Sequence, residues 1–135
     1  MTYTFKSQHE VANMQLPTYG SVTISSGKGI SDAELLDGRA IIRIHTDAQW
    51  KAASAPSLSL AISEDGTTYR QLRVWQSATP TTTVVAAITA NTSLSYAIPE
   101  EWTNGAYAVK IVSGTVATTT PLVKNRTVGL TYRLV

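Results

Sequence analysis

Leu58-Ser-Leu-Ala-Ile-Ser-Glu-Asp-Gly-Thr-Thr-Tyr-Arg-Gln-Leu-Arg-Val-Trp75 is the stretch that decides the fold. Leu58, Leu60 and Ile62 alternate with Ser59, Ala61 and Ser63, a period of two that sets three large aliphatic side chains on one face of a strand. Asp65-Gly66 then breaks the alternation. Asp-Gly between two alternating runs signals a hairpin, because glycine accepts the positive φ that the turn needs. The chain returns from Tyr69 to Trp75, with Leu72 and Val74 on one face and Tyr69 and Trp75 on the other. The stretch carries fold information and no chemistry.

Outward from this hairpin, the same period recurs. Arg39 to Thr46 reads as a strand with Ala40, Ile42 and Ile44 inward. Thr83 to Thr89 is apolar enough for a central strand. Leu94, Tyr96 and Ile98 alternate until Pro99 stops them. Tyr107, Val109 and Ile111 share a face between Ala106 and Ser113. Asn125 to Val135 is the longest alternation, with Arg126, Val128, Leu130, Tyr132 and Leu134 on one side. Asp32 to Gly38 reads as one helical turn or a loop closed by Asp37-Gly38. Seven or eight strands at spacings of roughly ten residues, with turn signals between them and no amphipathic helix, predict an all-β fold. The expected form is a single antiparallel β-sandwich, jelly-roll-like. Strand order is not readable. Residues 1–35 are less regular and read as an N-terminal arm or peripheral strands, with Tyr3 and Phe5 alternating and Val22 to Ile24 extended. Residues 36–135 read as the sandwich domain.

At 135 residues the chain is long enough for one ordinary core. It has no cysteine, so disulfides, thiolate metal sites and a cysteine nucleophile are excluded. The net charge is +2, and 15% of residues are charged. The eleven basic residues are scattered singly, whereas a nucleic-acid binder clusters them on one face. Twenty threonines and thirteen serines make up about a quarter of the chain, which suits a half-solvated pleated surface. The first ten residues hold no apolar core for a signal peptide, and no stretch reaches membrane-spanning length, so synthesis in the cytoplasm and no membrane partner are expected.

Catalytic patterns are sparse. His9 and His45 are the only histidines and form no paired metal-ligand motif, so neither metal nor cofactor is expected. The neighbouring carboxylates Asp32 and Glu34, Glu64 and Asp65, and Glu100 and Glu101 read as solvated loop and turn charges. Ser26-Gly27-Lys28-Gly29 lacks phosphate-loop spacing. The tryptophans have more reach. Trp50 and Trp102 sit in loops, where they either plug the ends of the sandwich or present a stacking surface to a sugar or a protein.

Several segments together carry a family resemblance: Ile41 to Trp50, Ser63-Glu-Asp65-Gly66-Thr-Thr-Tyr69, Ile98-Pro99-Glu-Glu-Trp102, Val109-Lys-Ile-Val-Ser113-Gly114, and the closing strand. Residues 39–135 thereby resemble the small virion structural proteins of tailed bacteriophages, β-sandwich proteins that decorate or stabilise capsids or form head-fibre bases. The resemblance implies a non-enzymatic jelly roll on the capsid surface, often a homotrimer, with the major capsid protein and itself as partners. Tyr3, Phe5, Tyr19, Trp50 and Trp102 are the expected partner-interface residues. The alternatives are a carbohydrate- or receptor-binding module carried by Trp50, Trp102 and Tyr107, or a tail or baseplate component.

Overall fold

The computed structural model describes residues 17–47, 50, 57–74, 82–83, 85–87 and 93–134. Eleven strands follow in order: β1 (Thr18–Ile24), β2 (Glu34–Leu35), β3 (Arg39–Thr46), β4 (Ser57–Ser63), β5 (Arg70–Gln71), β6 (Arg73–Val74), β7 (Thr82–Thr83), β8 (Val85–Ala87), β9 (Leu94–Ala97), β10 (Ala108–Ser113) and β11 (Arg126–Leu134). One sheet runs β1-β11-β3-β9, and the other runs β2-β10-β4-β5, with β8 also on β4. All pairings are antiparallel. The pairs are nested: β1 with β11, β2 with β10, β3 with β9, β4 with β8. That is a long hairpin rolled into two facing sheets, which is the jelly roll.

The inner faces hold the core. Val22, Ile24, Ile41, Ile44, Val128, Leu130 and Tyr132 come from the first sheet, and Leu58, Leu60, Val109 and Ile111 from the second. Leu36, Trp50, Ile98 and Leu122 join them from the connections. Each large aliphatic side chain so buried stabilises by about 1.5–3 kcal/mol before entropy is counted. β4 does more than alternate. Ser59, Ala61 and Ser63, on its other face, are buried too. The loop after β10 is tied to it and to its neighbour β5. Ser59 Oγ donates to Gly114 O at 2.7 Å, and Gln71 Oε1 accepts from Val116 N at 2.7 Å.

Three expectations are corrected. In β3, Ile41 is fully buried and Ile42 only half-buried, because the register shifts: Thr131 lies opposite Arg43 but Tyr132 lies opposite Ile41. Ile42 is the extra residue of a β-bulge, which reverses the phase of the strand. The stretch from Val85 to Ala87 is a short strand rather than a central one among the described residues, since β4 is its one partner there. Residues 84 and 88–90 lie outside the described residues. The return strand after Asp65-Gly66 is broken. β5 continues the ladder, while β6 leaves to pair with β7, and Trp75 lies outside the described residues. The stretch before residue 36, read as an arm or peripheral strands, supplies an edge strand to each of the two facing sheets among the described residues. β1 and β2 are members of the two sheets, and Val22 and Ile24 are core residues. The expected Tyr3 and Phe5 contacts lie outside the described residues, as does His9.

Candidate functional site

The rolled hairpin gathers alternate connections at one end of the sandwich. Residues 36–38 between β2 and β3, 64–69 between β4 and β5, and 98–107 between β9 and β10 meet there. The first is a tight turn, with Asp37 at φ 53° and Gly38 at φ 77°, closed by Arg39 N donating to Leu36 O at 3.0 Å. Two successive positive φ values are the type I′ geometry that Asp-Gly favours.

The second connection is built on Asp65. Its Oδ1 accepts from Thr67 N at 2.8 Å, Thr68 N at 2.9 Å and Ser63 Oγ at 3.1 Å, while Gly66 N donates to Ser63 Oγ at 2.8 Å. Donation by the Thr68 N–H, then by that of Thr67, holds the Asp65 carboxyl below its ordinary value. Gly66 takes φ 80° and lies against Tyr107, where an added Cβ would stand 2.7 Å from Tyr107 Cε2. A side chain here would be strained and would also displace the ring.

The third connection starts with a single 3₁₀ turn, Glu100–Trp102, after Pro99. Thr103 follows, fully buried, and its Oγ1 accepts from Ile41 N at 2.8 Å. This bond clamps the connection onto the bulged part of β3. Trp102 is thereby held half-buried against the core together with Ile62, Leu72 and Ala106. These four form the floor of a cleft of about 390 Å³ whose rim carries Glu64, Arg70, Arg73 and Asn104. An apolar floor with a few convergent polar groups is the usual construction of a binding cleft. The Arg70–Glu64 pair on the rim is long, 3.6 Å, and exposed, so it contributes little to stability.

The cleft does not end there. Glu64, Asn104, Gly105 and Ala106 also line a second hollow of about 530 Å³, which reaches Asp37, Arg39 and Tyr107. A third, of about 420 Å³, extends past Arg39 and Tyr107 to Glu34 and Leu35. Together they make one groove around the Asn104-Gly105 turn, with Trp102 at one side and Tyr107 at the other. Arg39 is a fixed cation in its wall. Its Nε donates to Leu36 O at 2.7 Å, its Nη2 to Leu35 O at 3.0 Å, and its guanidinium lies 4.1 Å from the Tyr132 ring centroid. Burial pushes the Tyr132 phenol far above its ordinary value, and the Glu34 charge adds to this while Arg39 opposes it. Leu35 is 53% exposed, Tyr107 51% and Leu134, opposite Arg39 in the ladder, 67%. A groove with aromatic side chains at two points, aliphatic neighbours and a rim of both charge signs fits an extended chain better than a compact small molecule.

The expected interface residues divide. Trp50 is corrected: it is fully buried, and its Nε1 donates to Thr127 O at 3.2 Å, so it plugs the core and presents nothing to a partner. Trp102 lines the groove. Tyr19 stands 75% exposed on the outer face of β1, opposite Thr131, and does not line the groove. Leu35, Arg39 and Leu72 were not legible as site residues; the Asp37-Gly38 and Asn104-Gly105 turn signals mark the loops, but only the strand order brings them together. His45 sits in β3 with Nε2 2.6 Å from Thr131 Oγ1. Among the described residues no group of three or more histidine or carboxylate side chains is placed to hold a metal ion.

No protein-family model matches the chain, and no curated protein matches it. Two solved structures are similar in shape. The SPBc2 prophage-derived protein YomS is 10% identical at a TM-score of 0.47, covering 87% of this chain and 96% of its own. The Yersinia pseudotuberculosis-derived mitogen YPM is 10% identical at a TM-score of 0.37, covering 89% of this chain and 86% of its own. Both likenesses are distant, and neither says what this chain binds.

Proposed function

We propose that this chain is a non-enzymatic structural protein of a tailed-phage virion, seated on the capsid through protein–protein contacts made by the groove end of its jelly roll. One observation carries the reading: Leu35, Tyr107 and Leu134, each more than half exposed, cluster at one end beside the fixed Arg39. Aromatic residues and arginine are what protein interfaces concentrate. The resemblance of residues 39–135 to phage virion proteins supplies the partner. On a capsid lattice, modest contacts per copy add up through multivalency.

The test is co-sedimentation of the purified protein with empty phage heads. The expected result is binding at fixed stoichiometry, weakened roughly tenfold or more by Tyr107→Ala combined with Leu35→Ser. A protein that stays in the supernatant, or a double variant that binds as well as the parent, refutes the reading.

The placement of Trp102 favours a second reading, a carbohydrate- or receptor-binding module. Trp102 and Tyr107 flank the Asn104-Gly105 turn with Glu64 and Arg70 nearby, an arrangement on which a sugar chain would stack. It predicts saturable quenching of tryptophan fluorescence by a glycan, abolished by Trp102→Ala. A broad glycan screen without a hit removes it.

A further inference from the structure

Among the described residues β1 is the outermost strand of its sheet, and its seven residues pair with β11 without a break from Thr18↔Tyr132 to Ile24↔Arg126. In an antiparallel strand, successive residues aim their N–H and C=O groups to opposite sides. The far side of β1 therefore presents three or four residues whose backbone groups have no partner among the described residues. Sheets protect such an edge with lysine, proline, a bulge or brevity. Thr18-Tyr-Gly-Ser-Val-Thr-Ile24 has no charge, no proline and no break in register. The margins elsewhere are shorter, with two residues in β2, two in β5, three in β8 and four in β9.

We propose that β1 pairs antiparallel with β1 of a second copy, about a two-fold axis at Ser21, so that two four-stranded sheets become one continuous sheet. The strand is complementary to itself. Pairing about Ser21 sets Tyr19 opposite the partner's Thr23, Gly20 opposite the partner's Val22, and Thr18 opposite the partner's Ile24. Faces match throughout. Tyr19, Ser21 and Thr23 point outward on both copies, while Val22 and Ile24 point to the two cores. No charge opposes another. Tyr19, 75% exposed in the single chain, gains an aromatic-to-β-branched cross-strand pair, one of the favourable kinds. An isologous contact of this sort closes at two copies, so it removes the edge without propagating it into a fibre. Two copies also depart from the three that the family resemblance implies.

The experiment is sedimentation velocity of the full chain from micromolar to near-millimolar concentration. The expected result is a monomer–dimer equilibrium. Ser21→Lys sets two ammonium groups opposite each other, and Ser21→Glu two carboxylates. Each variant alone is expected to dimerise about tenfold more weakly or worse, because directly opposed like charges are costly in a shared interface. An equimolar mixture of the two is expected to recover the dimer. Ser21 is exposed, so both variants should unfold at the temperature of the parent, which separates lost pairing from lost folding. A parent that is monomeric throughout, a trimer, a dimer that neither substitution weakens, or single variants that fail to recover on mixing overturns the proposal.

Discussion

A Tyr132→Phe substitution is expected to stabilise this fold although it deletes a polar group. The Tyr132 side chain is 1% exposed, its ring packs on Gly20, where an added Cβ would stand 2.9 Å from Cε2, and Arg39 covers it. Its hydroxyl is buried and makes no hydrogen bond of ordinary geometry among the described residues, the Glu34 carboxylate acting on it only as a weak acceptor. A buried hydroxyl left unpaired costs about 1–3 kcal/mol. Phenylalanine keeps the ring and its packing and sheds that cost. Allowing a few tenths of a kcal/mol for a weaker contact with Arg39, the net gain at neutral pH is about 1 kcal/mol.

The pH dependence sharpens the test. The folded phenol titrates above its ordinary value of 10.0, because burial penalises the phenolate, so the fold keeps its full stability below that pH and loses it as pH rises beyond it. The loss proceeds at up to about 1.4 kcal/mol per pH unit until the folded state also ionises. Phenylalanine has no proton to release, so the gap between the two proteins widens above pH 10. Urea unfolding followed by far-ultraviolet circular dichroism, at neutral pH and in steps above 10, measures both effects. A variant less stable than the parent by about 1 kcal/mol at neutral pH would show that the hydroxyl is bonded. A constant difference across the alkaline range would refute the role of burial.

Other expectations follow from the same contacts. Thr103→Val removes the acceptor for the buried Ile41 N–H and should cost about 1–3 kcal/mol by chemical denaturation, with Thr103→Ser much closer to the parent. Trp50→Phe leaves a gap and an unpaired Thr127 carbonyl, and should cost about 2–4 kcal/mol while leaving binding to heads or glycans unchanged. Asp65→Ala loosens the 64–69 turn. Because the folded carboxyl titrates below 3.8, its contribution is present above that pH and fades as pH falls through the folded value. Thermal unfolding should therefore separate variant from parent at neutral pH and bring them together in strong acid.

Much of the architecture was legible because it rests on local rules. The alternation of Leu58, Leu60 and Ile62 and that of Val128, Leu130 and Tyr132 found their core faces, and Asp37-Gly38 and Asp65-Gly66 marked real turns. What escaped depends on residues far apart. Local alternation placed Ile42 inward, but the pairing of Tyr132 with Ile41 makes Ile42 the extra residue of the bulge. A tryptophan in a loop reads the same whether it caps a core or greets a partner. Packing in the core and the carbonyl of Thr127, 77 positions away, hold the Trp50 indole inside. The groove was invisible for a similar reason: its walls come from three connections that become neighbours only when the hairpin is rolled.

The pairing of β1 with β11 also sets an order of events during synthesis. Thr23 and Thr127, whose hydroxyls stand 3.3 Å apart, are 104 positions apart along the chain. A ribosome delivering residues one at a time releases β1 long before its only strand partner among the described residues exists. Until β11 emerges, Val22 and Ile24 have no sheet to join, and a neutral, unprotected strand waits in the company of other nascent copies. A strand made late therefore completes one made early. Such long loop closure predicts a slow final step and a premium on chaperone attention while translation continues.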